Sequence, residues 1–208
     1  MQKLNFQLEI IINDLSKKGY VICQAFLPKL IIQSLADEAE KHFANGEMLA
    51  AKTGQQAKNG SMHNANIRGD SIFWLGENSD SLSIQAYFSK MHKIQAALNE
   101  HLFMNVQELE THLAVYPIGS AYQRHLDQFS KGEGVQTRQL SSVLYLNNDW
   151  LTADGGELRL HLNAHEYLDI APTAGKLVLF LSSQFWHEVL PATRPRISLT
   201  GWFRTRAN

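Results

Sequence analysis

Near residue 105 the hydrophobic period of this chain changes, and the change limits what it can fold into. Before that point apolar side chains recur every three or four positions: Leu4, Leu8, Ile11, Ile12 and Leu15, then Leu30, Ile31, Leu35 and Ala39, then Ile84, Phe88, Met91, Ile94 and Leu98. That spacing gathers each set on one face of a helix. Beyond it the pattern alternates, from Glu108 to Tyr116, Arg138 to Asn147, Gly156 to Leu162, Lys176 to Ser182 and Arg196 to Arg204. A period of two sends successive side chains to opposite faces of a strand. Helices followed by a succession of strands predict an α+β fold.

Local signals set the boundaries. Gly19 supplies a left-handed residue where the first helix ends, Tyr20 to Cys23 reads as a short strand, and Pro28 fits the first turn of a second helix that ends near Gly46. Ser79 or Asp80 is placed to cap the third helix. From Met48 to Asn66 no period survives, and this stretch is predicted to be a lid near the site. His63 inside it, a lone loop histidine, is set aside as a ligand. Arg68-Gly69-Asp70 precedes the apolar Ile72-Phe73-Trp74-Leu75, which predicts a structural role: Asp70 paired with a basic residue such as Arg138, and Trp74 in the core.

Composition excludes several classes of partner. The 19 basic and 20 acidic residues leave a net charge of -1 with no long single-sign run, so no nucleic-acid partner is predicted. No apolar run of about 18 residues occurs, and the first residues lack a charged head followed by an apolar stretch. No membrane partner is predicted, and the expected location is cytoplasmic. Cys23 is the only cysteine; it has no intramolecular disulfide partner and reads as a small core residue. At 44% hydrophobic content, 208 residues suffice for one domain over 1–208, with helical support over about 1–105 and a catalytic β core over about 106–206.

The chemistry gathers in Tyr116-Pro117-Ile118-Gly119-Ser120-Ala121-Tyr122-Gln123-Arg124-His125-Leu126-Asp127. His125 and Asp127 are two apart at what reads as a strand end, where both side chains reach the same face and can share a metal ion. A sheet brings distant strands together, and the third ligand is expected at His187 in Gln184-Phe185-Trp186-His187-Glu188-Val189. Two imidazoles and one carboxylate form a facial triad with open positions, which suits Fe(II) in oxygenases. Arg196 opens a run in which Arg196, Ser198, Thr200 and Trp202 share one strand face. Its guanidinium is suited to hold one end of a dicarboxylic acid whose other end chelates the metal, which points to 2-oxoglutarate. Arg194 has the same parity, but Pro195 interrupts the strand between them.

Several segments carry a resemblance: Ile67 to Trp74, Tyr122 to Asp127, Val143 to Asn147, Gly155-Gly156-Glu157-Leu158-Arg159, and His187-Glu188-Val189 onward to Trp202. In their order and spacing the chain resembles the Fe(II)/2-oxoglutarate-dependent prolyl hydroxylases of the oxygen-sensing, hypoxia-type family and their bacterial relatives, from about Phe6 to Arg204. The resemblance implies a double-stranded β-helix, or jelly roll, with supporting N-terminal helices. It implies His125, Asp127 and His187 as metal ligands and Arg196 on the distal carboxylate of 2-oxoglutarate, with Tyr145, Tyr116 and Thr200 beside it. Tyr116 stands one residue closer to His125 than the family pattern has it. Arg138, Trp202 and Tyr122 match positions for substrate, and Leu158 matches an apolar wall.

The implied cofactors are Fe(II), with 2-oxoglutarate and O2 as cosubstrates and ascorbate as reductant. The implied reaction hydroxylates a prolyl residue of a protein substrate, elongation factor Tu among those of bacterial relatives, and releases succinate and CO2. A carboxylate at Asp127 argues against the halogenase variant, which lacks that ligand. Two alternatives stand beside this reading: a hydroxylase of a free amino acid or other small molecule on the same core, and a non-catalytic metal-binding sensor module.

Overall fold

The structure is a computed structural model that describes residues 5–51, 67–128 and 137–206. The predicted lid, apart from its first few residues, lies outside the described residues, as does His63. Three helices are described: α1 (Phe6–Lys18), α2 (Lys29–Ala44) and α3 (Leu82–Leu102). The strands are β1 (Tyr20–Cys23), β2 (Leu49–Ala50), β3 (Ser71–Trp74), β4 (Glu108–Tyr116), β5 (Tyr122–His125), β6 (Arg138–Tyr145), β7 (Leu158–His161), β8 (Tyr167–Ile170), β9 (Leu177–Leu181), β10 (His187–Val189) and β11 (Arg196–Arg204).

The helices form for local reasons. The side chain of Asn5 accepts from the Leu8 amide at the start of α1, and Gly19 closes it at φ 76° with its N–H donating to Leu15 O. Ser81, not Ser79 or Asp80, caps α3, because its hydroxyl stands three residues before the Ile84 amide it accepts from. Ser79 instead accepts from the Ser81 amide. On α2, Leu30 is 82% exposed and Ile32 takes the inward place. Ile31, Leu35 and Ala39 keep the predicted inward face, so Leu30 alone departs from it. The α3 stripe of Ile84, Phe88, Met91, Ile94 and Leu98 is buried as predicted.

The strands form two antiparallel sheets, one in the order β1-β9-β6-β11-β4-β3-β2 and one in the order β5-β10-β7-β8. Two such layers with supporting helices make the jelly roll. The alternation of period two decides which residues each layer presents. Leu113, Val115, Leu140, Leu144, Ile197, Leu199 and Phe203 of the large sheet pack with helix residues such as Ile11, Leu35, Met91 and Leu98. The opposite parity, with Ala114, Tyr116, Val143, Tyr145, Val178 and Phe180, packs with Leu158, Leu160, Ile170 and Val189 from the small sheet. Arg196, Ser198, Thr200 and Trp202 share that inward parity, so a cleft between the layers receives them.

Trp74 is not a core residue: it is 51% exposed and meets His112 edge-on at 4.8 Å. Among the described residues, β2 pairs with Ser71 and Ile72 but does not reach Trp74, whose strand partner is His112 of β4 alone. Strands β3, β8 and β10 have three or four residues each, too few to display an alternating period.

Gly201 lies on β11 opposite Thr111 of β4. A Cβ there would stand 2.7 Å from the Glu110 carbonyl oxygen and would overlap the Thr111 side chain. Gly201→Ala is expected to cost about 2 kcal/mol by overpacking, which lowers Tm by about 4–8 °C in a chain of this size. Thermal unfolding checks this, and an unchanged Tm would contradict the close approach.

Candidate active site

His125 ends β5, His187 begins β10, and the two are directly paired across antiparallel strands. Their rings lie 4.2 Å apart between centroids. Asp127 is not on the strand as predicted; it sits in a bend two residues past it, and the bend brings its carboxylate back beside both imidazoles. His125 Nε2 is 3.6 Å from Asp127 Oδ1, and His187 Nε2 is 3.5 Å from Asp127 Oδ2. All three ligand atoms lie within 4.8 Å of one another.

Both Nδ1 atoms face backbone carbonyls, Gln123 O at 2.8 Å and Phe185 O at 3.1 Å. Each therefore carries the proton on Nδ1 and turns an Nε2 lone pair toward the shared point. Burial lowers the His187 pKa to about 4 against the pull of Asp127, so its imidazole is neutral at physiological pH. Burial would raise the Asp127 pKa, but His187, His125 and the Ser141 hydrogen bond outweigh it and hold the carboxyl well below its usual range. Ser141 Oγ donates to Asp127 Oδ2 at 2.6 Å and is 2.8 Å from Ser182 Oγ, which fixes the carboxylate. A neutral His187 imidazole and an ionised Asp127 carboxylate are the protonation states a divalent ion needs of them. Octahedral ligands about 2.1 Å from a metal stand about 3.0 Å apart, so the observed spacing fits one ion with little adjustment.

Arg196 enters the same cleft from the large sheet. It is 2% exposed, donates from Nε to Gly156 O at 3.0 Å and from Nη2 to Tyr145 Oη at 3.4 Å, and lies 5.1 Å from the Tyr116 ring. Among the described residues no carboxylate pairs with it. A buried guanidinium without an anion is costly, and a ligand carboxylate would relieve the cost. Burial keeps the Tyr145 hydroxyl protonated, so it can donate to the same carboxylate while accepting from Arg196. Gly156, at φ 73°, lets the backbone pass close to its neighbours: a Cβ would stand 2.9 Å from Ala192 Cβ and 3.1 Å from the Trp150 ring, while it would only touch Arg196 Cδ at 3.5 Å. Arg194 lies elsewhere, over the Trp150 ring at 5.1 Å and 3.5 Å from Asp154.

The rest of the wall is aromatic and cationic. Tyr122 stacks on His125 at 3.7 Å between centroids, Thr200 and Leu158 border the cleft, and Arg138 lies 3.5 Å above the Trp202 ring. The predicted pairing of Asp70 with Arg138 is not found. Asp70 pairs with Arg68 at 2.7 and 2.9 Å, because both project from the backbone leading into β3. Arg138 instead pairs with Glu110 at 2.9 and 2.7 Å. Sequence reasoning missed His112 in its wall; its position on β4, at the same parity as Tyr116, was the available signal.

A family model for the 2OG-Fe(II) oxygenase superfamily matches residues 111–204. Human Egl nine homolog 1 is 30% identical over 207 residues, covering 96% of this chain and 47% of its own length. The chain thus spans about half the length of the curated relatives it matches. Among solved structures, a Pseudomonas putida prolyl-4-hydroxylase is 39% identical with a TM-score of 0.84, covering 96% of this chain and all of that one. The prolyl hydroxylase of Trichoplax adhaerens, solved with a hypoxia inducible factor peptide, has a TM-score of 0.84 at 24% identity, covering 97% of this chain and 94% of that one. That second likeness concerns the fold.

The buried imidazoles make apo stability pH-dependent. Burial, followed by the charges of Arg68 and Arg138, lowers the His112 pKa to about 3, as burial lowers that of His187 to about 4. The unfolded chain, with histidines near 6.5, then binds more protons than the folded one, so stability is full above about pH 6.5 and falls as pH drops toward those values. The loss is expected to reach about 2 kcal/mol per imidazole at pH 5. Thermal unfolding between pH 5 and pH 7.5 measures it, and a flat profile would contradict the buried neutral histidines.

Proposed function

Because this chain belongs to the 2OG-Fe(II) oxygenase superfamily, and within it to prolyl hydroxylases of the oxygen-sensing type, we propose that it hydroxylates a prolyl residue in a protein substrate. One observation carries the reading. Three metal-ligating groups within 4.8 Å of one another share a cleft with a buried arginine that has no carboxylate partner among the described residues. A dicarboxylic cosubstrate is the ligand that such a pair of features suits. Elongation factor Tu is the protein substrate we propose to test first.

In this reading His125, Asp127 and His187 hold Fe(II), and Arg196 with Tyr145 holds the distal carboxylate of 2-oxoglutarate. When bound, iron and O2 supply the oxidation in which 2-oxoglutarate becomes succinate and CO2, one oxygen atom entering succinate and the other a C–H bond of the substrate. Ser141 keeps the Asp127 carboxylate in place. Thr200, next inward but one from Arg196 on β11, and Tyr116, facing the guanidinium, line the cosubstrate's length. Val143, Phe180 and Leu158 exclude water around it. Arg138, Trp202 and Tyr122 receive the substrate at the mouth. Ascorbate serves as the reductant that restores Fe(II).

We take residues 1–208 as one catalytic domain, since side chains of α1, α2 and α3 share a core with the large sheet. No helix among the described residues is long and apolar enough to cross a membrane, and we propose that the protein acts in the reducing cytoplasm.

Purified protein given Fe(II), 2-oxoglutarate, ascorbate and elongation factor Tu is expected to release succinate in step with the gain of one oxygen atom on a proline. Arg196→Ala removes a charge-assisted pair of about 1.5–3 kcal/mol and is expected to raise the KM for 2-oxoglutarate by about ten- to a hundredfold. Arg194→Ala is expected to change it by less than about twofold, given its place outside the cleft. Succinate assays across 2-oxoglutarate concentrations check both, and the reverse pattern would move the cosubstrate away from Arg196.

A further inference from the structure

His112 takes no part in the chemistry above, yet it stands in the wall of the cleft. It is 1% exposed, and neither ring nitrogen has a hydrogen-bond partner among the described residues. The indole N–H of Trp202, whose ring lies 5.5 Å away, is also without one. A neutral imidazole offers one donor and one acceptor, and an indole one donor. Buried polar groups left unpaired are destabilising, and an apolar side chain of similar size would avoid the loss. These groups gain partners from whatever enters the cleft.

Position and charge narrow what that is. His112 pairs across strands with Thr200 on one side and Trp74 on the other, and Trp202 is the inward residue after Thr200. The subsite therefore lies toward the mouth, away from Arg196. The cations nearest to it are already engaged, Arg68 with Asp70 and Arg138 with Glu110. Among the described residues nothing there favours the separate ammonium and carboxylate of a free amino acid. A main-chain amide brings what is missing: a carbonyl to accept from a donor N–H and an N–H to donate to the imidazole lone pair. Trp74, edge-on to His112 and half exposed at the sheet margin, borders this subsite on its solvent side.

We propose that His112 and the Trp202 indole N–H together bind a main-chain amide next to the reacting residue, making His112 a determinant of specificity for polypeptide over free amino acid. This rests on the hydroxylase reading and names the substrate class of that same site. The two can fail separately.

The test uses a proline-containing peptide taken from elongation factor Tu and, beside it, free L-proline, with succinate release as the readout. Wild type is expected to turn over the peptide and not free proline. His112→Met, which keeps side-chain length but removes both polar nitrogens, is expected to raise the peptide KM about tenfold with kcat changed less than twofold. It is also expected to raise the Tm of the apo protein, because the unpaired groups are gone. His112→Gln, which restores a donor and an acceptor, is expected to bring KM back to within about threefold of wild type. A wild-type KM in His112→Met, or a raised KM together with a lowered Tm, would overturn the proposal, the latter by showing that His112 only packs. Turnover of free proline alone would overturn it along with the protein-substrate reading. Turnover of the peptide with no effect of either variant would overturn it and leave that reading standing.

Discussion

The pairing of His125 with His187 across β5 and β10 is the constraint from which the rest of the site follows. Two imidazoles far apart in sequence become direct cross-strand neighbours, and antiparallel pairing sets their separation within narrow limits. A slip of one residue in either strand would turn one ring to the opposite face. The register is held by the pairing of β10 with β7 on its other side, from His187 opposite Leu160 to Val189 opposite Leu158. The hydrogen bonds of both Nδ1 atoms to carbonyls two residues upstream then orient the rings, with Tyr122 stacked on His125 and Phe180 edge-on to His187. Asp127 needs only a short bend after β5 to join them.

The two sheets divide the work. The small sheet supplies the two clustered imidazoles, and the large sheet supplies Arg196, Tyr145, Tyr116 and Thr200 from its inward parity. The charges differ accordingly: an ionised carboxylate held low in pKa at one end, a guanidinium without a carboxylate partner at the other. A ligand with a chelating end and an anionic end spans such a cleft. Among the described residues no helix side chain lines the cleft; the helices bury the outer face of the large sheet.

Much of this was legible in the chain because the inward residues of β11 follow the period of two without a break, from Arg196 to Trp202. Pro195 separated Arg194 from that run, and the structure keeps Arg194 outside the cleft. The partners of charged residues were less legible. Asp70 has a guanidinium two residues away at Arg68, but nothing in the sequence ranks that neighbour above Arg138, which the fold brings to Glu110 instead. Trp74 looked like core because its neighbours are apolar; its exposure depends on the length of β2, a two-residue strand with no period to read. His112 was only partly legible: its parity with Tyr116 put it on the inward face of β4, but the cross-strand rows were needed to place it between Thr200 and Trp74.

The central claim is that one metal ion and one dicarboxylate share this cleft, joined by chelation. Anaerobic titration of the purified protein with Fe(II), and then with 2-oxoglutarate, tests it most directly, because the chelate has a weak visible charge-transfer band. The account predicts a band that saturates at one equivalent of iron, appears only when both components are present, and is lost in His187→Ala. No band in iron-loaded wild-type protein, or an undiminished band in His187→Ala, would contradict it.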